Sequence, residues 1–219
     1  MKQAIYLSHP LSSDTPLYGG AKNIKIKSDT SISTGDTANS IYLAFSNHSG
    51  THIDVPYHFF DDGKKLNEYD PNFWIFRSPI CLDLPCIDGY LIQYQDVAEL
   101  IKPETDLLLI RTGYEKFRME KKYWASNPGL SSNLAIGIRE HHPNIRSVGV
   151  DVISITSRLH REEGRKAHRE FLGTNYSSDP IVVIEDMSLL QFTPNISNVI
   201  IAPLIIDNSD GAPCTIIAY

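Results

Sequence analysis

Ser46-Asn47-His48-Ser49-Gly50-Thr51-His52-Ile53-Asp54-Val55-Pro56-Tyr57-His58 is the stretch on which the reading of this chain turns. His48, His52, Asp54 and His58 all occupy even positions. In extended backbone that parity puts them on one face. The four-residue step from His48 to His52 also suits a helix, but Gly50, the β-branched Thr51 and Ile53, and Pro56 argue against one. One short extended segment therefore presents two imidazoles and a carboxylate to a common point. That donor set suits zinc or manganese. A carboxylate in it can also bridge two metal ions. Gly50 lets the backbone turn sharply or approach closely. Tyr57, Phe59 and Phe60 follow, either as walls of an apolar pocket or as plain core.

Around this stretch the chain reads as many short strands with a few helices. Strands are predicted at 4–7, 22–27, 40–46, 107–111, 148–152, 181–184, 199–206 (interrupted by Pro203) and 215–218. Leu107–Arg111 is a continuous apolar run, as a strand covered on both faces requires. Helices are predicted at 95–101 and 130–141, the second with a cap among Ser131, Ser132 and Asn133. The run from Arg161 to Glu170 reads as a solvated helical face, and Glu185 ends the apolar run 181–184. A carboxylate at the end of a buried strand is costly unless paired or coordinated. The pattern is that of a mixed α/β domain, and no linker divides residues 1–219.

Composition removes several classes. With 219 residues, 42% hydrophobic and 21% charged, the chain is neither disordered nor fibrous. Twenty basic against 26 acidic residues, net charge -6, argue against a nucleic-acid partner. Cys81, Cys86 and Cys214 form no CxxC and read as free thiols of a reducing, cytoplasmic compartment. The opening MKQAIYLSHPLSS has no apolar run long enough for a signal peptide, and no window suits a membrane span. No G-x-S-x-G elbow, P-loop or G-x-G-x-x-G turn is present. Cupins want a His-x-His pair, which the stretch lacks.

The stretch His48–His58 matches the HxGTHxDxPxH motif at its seven fixed positions. It thereby resembles the cyclase-like metal-dependent hydrolases, the family of the bacterial kynurenine formamidases (arylformamidases) and isatin hydrolases. Ser8-His9-Pro10-Leu11-Ser12, Tyr18-Gly19-Gly20, Arg111-Thr112-Gly113, Pro128-Gly129-Leu130, Val148-Gly149-Val150-Asp151, Ala167-His168-Arg169 and Ile184-Glu185-Asp186-Met187 resemble further parts of that family. The resemblance implies one compact, swivelling β/β/α domain, assembled as a homodimer or homotetramer. It implies one or two Zn2+ per chain, or Mn2+, on His48, His52 and Asp54, with Asp54 bridging to a second ion completed by His168 and Glu185 shared. His160 is the competitor of His168. His58 is implied as general acid/base, and Tyr18 stands where formamidases carry a substrate-facing tryptophan. The implied reaction is hydrolysis of an amide-type C–N bond, in an arylformamide such as N-formylkynurenine or in a lactam, by hydroxide generated at the metal. Alternatives are an ester or lactone hydrolase, a cyclase, or a non-catalytic binding protein on the same scaffold.

Overall fold

A computed structural model describes residues 4–174 and 176–219. Its strands are β1 (Ile5–Tyr6), β2 (Lys25–Thr30), β3 (Ser40–Ala44), β4 (His52–Asp54), β5 (Ile75–Phe76), β6 (Pro79–Asp83), β7 (Leu91–Ile92), β8 (Leu107–Arg111), β9 (Gly129–Leu130), β10 (Ser147–Val150), β11 (Val182–Glu185), β12 (Val199–Pro203) and β13 (Gly211–Ala218). The α-helices are α1 (Lys121–Ala125), α2 (Ser132–His141) and α3 (Arg161–Leu172).

Nine strands form one sheet in the order β5-β12-β13-β4-β11-β10-β8-β6, with β1 pairing β13 beside β4. β6, β8, β10 and β11 run parallel. From β11 through β4, β13 and β12 to β5 the pairing is antiparallel. Alternation along each strand splits the apolar side chains between two cores. Leu108, Ile110, Val148, Val150 and Val183 pack with α2 and α3. Leu107, Leu109, Val182 and Ile184 pack on the opposite side with Ile53 and the apolar residues of β12 and β13. The parallel strands are apolar at successive positions because both of their faces are covered.

The capping residue of α2 is Ser131, whose hydroxyl accepts from the Leu134 amide at 3.1 Å. α3 buries Gly164, Ala167, His168, Phe171 and Leu172, a helical stripe that faces the sheet. This corrects the reading of 161–170 as a solvated face, since Gly164, Ala167 and His168 within it are buried. Residues 95–101 are not an α-helix. A 3-10 turn at Tyr94–Asp96 passes into further turns closed by Ala98 N–H to Tyr94 O and Ile101 N–H to Val97 O. The segment is too short to propagate regular helix, and Asp96 folds back to accept from the Gln93 amide. β2 and β3 pair only with each other, leaving Ile41, Tyr42 and Leu43 exposed. The three cysteines are unbonded. Among the described residues no helix is long and apolar enough to cross a membrane; Met1–Gln3 of the opening stretch lie outside them.

Candidate metal centre

β4 supplies the floor of the site. His52 and Asp54 project to the α3 side of the sheet, and Ile53 between them enters the other core. On the antiparallel neighbour β11, Glu185 lies opposite His52 and Val183 opposite Asp54, so Glu185 joins the same face. α3 crosses that face and brings His168 down from its buried stripe. All four side chains are buried.

Only 52–54 of the motif is a strand. His48 precedes a bend at Gly50, whose φ of +66° a residue with a Cβ rarely adopts. Pro56–His58 is a 3-10 turn started by Pro56. The single-face parity therefore holds for His52 and Asp54, while His48 and His58 reach the site through turns. Thr51 fastens the motif to its neighbours. Its hydroxyl donates to Asp186 O at 2.5 Å and accepts from the His9 amide at 2.9 Å.

Two ring orientations decide the chemistry. His52 Nδ1 lies 2.8 Å from Gly50 O, and His168 Nδ1 lies 2.8 Å from Gly164 O. A carbonyl only accepts, so each Nδ1 carries a proton and each Nε2 presents a lone pair in the neutral ring. His52 Nε2 faces Asp54 Oδ1 at 3.5 Å and Glu185 Oε2 at 3.4 Å. His168 Nε2 faces Asp54 Oδ2 at 3.6 Å and Glu185 Oε1 at 3.3 Å. These separations exceed the roughly 2.7–2.9 Å of a charge-assisted hydrogen bond. Two imidazole nitrogens and two carboxylates thus converge on one point with their electron pairs inward, an arrangement that needs a positive charge between them. Backbone acceptors at Nδ1 are the usual outer partners of metal-ligating histidines. Glu185 is itself anchored, accepting at Oε1 from Ser154 Oγ and the Ile155 amide.

The field is that of a cation site. Burial opposes charge on His168, but Asp54 and Glu185 outweigh it and hold its pKa up at about 10. His52 is raised against burial in the same way. Burial likewise pushes Glu185 up, and so does Asp54, yet the histidines bring it down to about 2. Asp54 lies well below the usual carboxylate range, with His168 and His48 overcoming its burial.

His48 sits between two acids. Its Nδ1 is 2.8 Å from Asp54 Oδ1 and its Nε2 is 2.9 Å from Asp210 Oδ2. Against burial, Asp210 and Asp54 lift its pKa to about 10. His58 Nδ1 donates to the same Asp210 Oδ2 at 2.7 Å, and Asn47 Nδ2 donates to Asp210 Oδ1 at 2.6 Å. Donor atoms of His48, Asp54 and His58 lie within 4.8 Å of one another, as do those of His52, Asp54 and Glu185. Asp54 is common to both groups. The structure therefore brings together His48, His52, Asp54, His58, His168 and Glu185. His160 is not among them; it is exposed at the N-cap of α3. Asp151 serves the fold instead, accepting from Thr112 and Gly113.

Asp210 was not anticipated. In the sequence it is one acid of the turn Asn208-Ser209-Asp210-Gly211, with nothing to separate it from an ordinary turn residue.

A pocket of about 330 Å3 opens over the cluster. Tyr18, Leu17, Phe59 and Ile153 wall it, and Arg161 and Arg165 stand on it from α3. Phe59 stacks on the His168 ring at 4.9 Å. Tyr57 and Phe60 do not reach the pocket; Phe60 packs against the core. A larger cavity, about 860 Å3, lies beside His9 and Cys214 and is lined by none of the six clustered residues.

A family model described as "Putative cyclase" matches residues 5–157. Over 211 residues the chain is 26% identical to a kynurenine formamidase of Bacillus mycoides, covering 96% of this chain and 94% of the relative. Isatin hydrolase A from Labrenzia aggregata, bound to benzyl benzoate, superposes with a TM-score of 0.83 at 21% identity, over 99% of this chain and 93% of that one. A predicted metal-dependent hydrolase from Bacillus stearothermophilus gives 0.78 at 21% identity, over 99% and 97%. The mixed α/β architecture implied by the motif is the fold these structures share.

Proposed function

The chain belongs to the putative cyclase family, and from that membership and the geometry of the cluster we propose that residues 1–219 form one metal-dependent hydrolase domain cleaving an amide-type C–N bond, with aryl formamides as the first substrate class. One observation carries the reading. The Nε2 atoms of His52 and His168, their tautomers set by backbone carbonyls, converge with Asp54 and Glu185. On this reading His48, His52, Asp54, His168 and Glu185 would hold one or two zinc or manganese ions, Asp54 belonging to both ligand groups. Such an ion supplies Lewis-acid polarisation of a carbonyl and ionises water near neutral pH.

The chain's own residues complete the proposal. His58 donates its Nδ1–H as a hydrogen bond to Asp210, which leaves Nε2 with the lone pair of a general base. Asp210 thus selects the tautomer and orients the ring. A proton taken at Nε2 is returned to the leaving nitrogen. Phe59, Ile153 and Tyr18 supply an apolar wall for an aryl group and keep water from it. The kynurenine formamidase relatives support the formamide, and Tyr18 is the proposed substrate contact.

We propose also that copies of the chain associate. A self-paired two-stranded hairpin is marginal alone in water, and β2–β3 exposes Ile41, Tyr42 and Leu43. Light scattering is expected to give a dimer or tetramer. Three unpaired thiols suit a reducing, cytoplasmic setting.

The deciding experiment is elemental analysis of protein purified without chelator or added metal, followed by an aryl formamide, lactam and ester screen. About one or two zinc or manganese ions per chain are expected from the donor set. No metal, and no uptake of either ion on addition, overturns the proposal.

A further inference from the structure

Arg161 and Arg165 both line the pocket over the candidate metal centre. They are one helical turn apart on α3, and His168 follows at the next turn of the same face. Neither arginine has an acid within ion-pairing distance among the described residues. The cations that do pair are Arg111, Arg118, Lys122, Arg146 and Lys166. Two exposed guanidiniums thus stand on the pocket with no acidic partner among the described residues, in a chain whose net charge is -6. On the same pocket the Tyr18 hydroxyl is buried with no hydrogen-bond partner. A buried hydroxyl in that state lacks an acceptor.

The charge is also divided by depth. The floor carries Asp54 and Glu185, which face the Nε2 atoms of His52 and His168. The rim carries the guanidiniums. A neutral amide needs only the floor. A substrate with a negative group away from its scissile carbonyl uses both, because a planar guanidinium binds carboxylate with two parallel hydrogen bonds. At 1.5 Å rise per residue, the backbones of Arg165 and Arg161 lie about 4.5 and 10 Å along α3 from His168. That span is about one aromatic ring with a short substituent, and a pocket of about 330 Å3 holds little more.

Resting on the hydrolase reading above, we infer that the substrate is an anionic aryl amide, its carboxylate taken by Arg161 and Arg165 while its amide carbonyl lies over the floor. Arg161 and Arg165 are then specificity-determining residues of this site, and the Tyr18 hydroxyl is a further donor to the substrate.

The test compares metal-loaded wild type with the double variant Arg161→Gln, Arg165→Gln, on formanilide and on 2- and 3-formamidobenzoate. The expected wild-type kcat/KM favours a formamidobenzoate over formanilide by about tenfold or more, as one charge-assisted contact implies, and the double variant brings the ratio near one. A wild-type ratio of one or less, or a ratio unchanged in the variant, overturns the inference. If wild type cleaves none of the three, the formamide reading fails, and the anion site is judged by titrating both proteins with benzoate and benzamide. Benzoate binding weakened about tenfold in the variant, with benzamide binding alike in both, upholds the anion site. Equal benzoate binding overturns it.

Discussion

Each nitrogen of His48 faces a different carboxylate, Asp54 on one side and Asp210 on the other. Through Asp210 the ring is tied to His58, so one turn aspartate joins a metal-ligand candidate to the candidate base. His58→Ala is expected to lower kcat by about 10²–10⁴ while elemental analysis still finds metal. Loss of the metal instead makes His58 a ligand. Asp210→Ala removes the orienting acceptor, and a fall of about 10–100-fold in metal affinity or in activity is expected, as for other outer partners of ligands. Asp210→Asn keeps an acceptor oxygen and is expected to fall between wild type and the alanine variant; activity equal to wild type in both variants rejects the orienting role. The motif histidines and Asp54 were legible because they lie within eleven residues and share a parity. Asp210 lies 152 residues from His58, and no local pattern connects them.

At the level of elements, the site depends on how closely α3 approaches the loop before it. A Cβ at Gly164 would lie 2.5 Å from Thr156 Oγ1 and 2.6 Å from its Cα. The Gly164 carbonyl also holds the His168 ring. Gly164→Ala must push the helix away from that loop. A stability loss of about 1–3 kcal/mol by denaturant titration is expected, as for overpacked cores, together with reduced metal content. Wild-type stability and metal content in this variant reject the close approach. The apolar runs of β8, β10 and β11 were readable because a strand covered on both faces has no polar positions. The stripe of α3 was obscured by its outer charges, and His168 entered by resemblance. The helix expected at 95–101 failed because Asp96 closes a local turn in place of a propagating helix.

For the whole molecule, the candidate metal centre couples folding, protons and metal. His48 and His168 hold their protons to about pH 10 when no metal competes. The stability they lend the metal-free protein is full below about pH 6.5, the ordinary histidine value, and is lost as pH rises toward 10. Glu185, lowered to about 2, lends stability that is full above the ordinary glutamate value and is lost as pH falls toward 2. A metal ion must displace the histidine protons, so its affinity rises with pH. The gap in Tm between metal-loaded and chelator-treated protein is therefore expected to widen from pH 6 to pH 8 in a thermal melt series. A gap that does not change with pH argues against histidine ligation. The sheet order and the β2–β3 hairpin that pairs only with itself were not legible, since strand neighbours are chosen by long-range packing.

β4 is three residues long, yet both of its edges are hydrogen-bonded, to β11 and to β13, in the middle of the sheet. Backbone amides in such a position exchange with deuterium only when much of the domain opens. The floor of the candidate metal centre is therefore expected to be among the last parts of the molecule to breathe. Tyr18 and the exposed Arg161 and Arg165 of α3 line the pocket above it, outside the sheet. If the proposed chemistry is seated on β4, changes of substrate are expected to come from those pocket positions, with the backbone beneath the metal centre left in place.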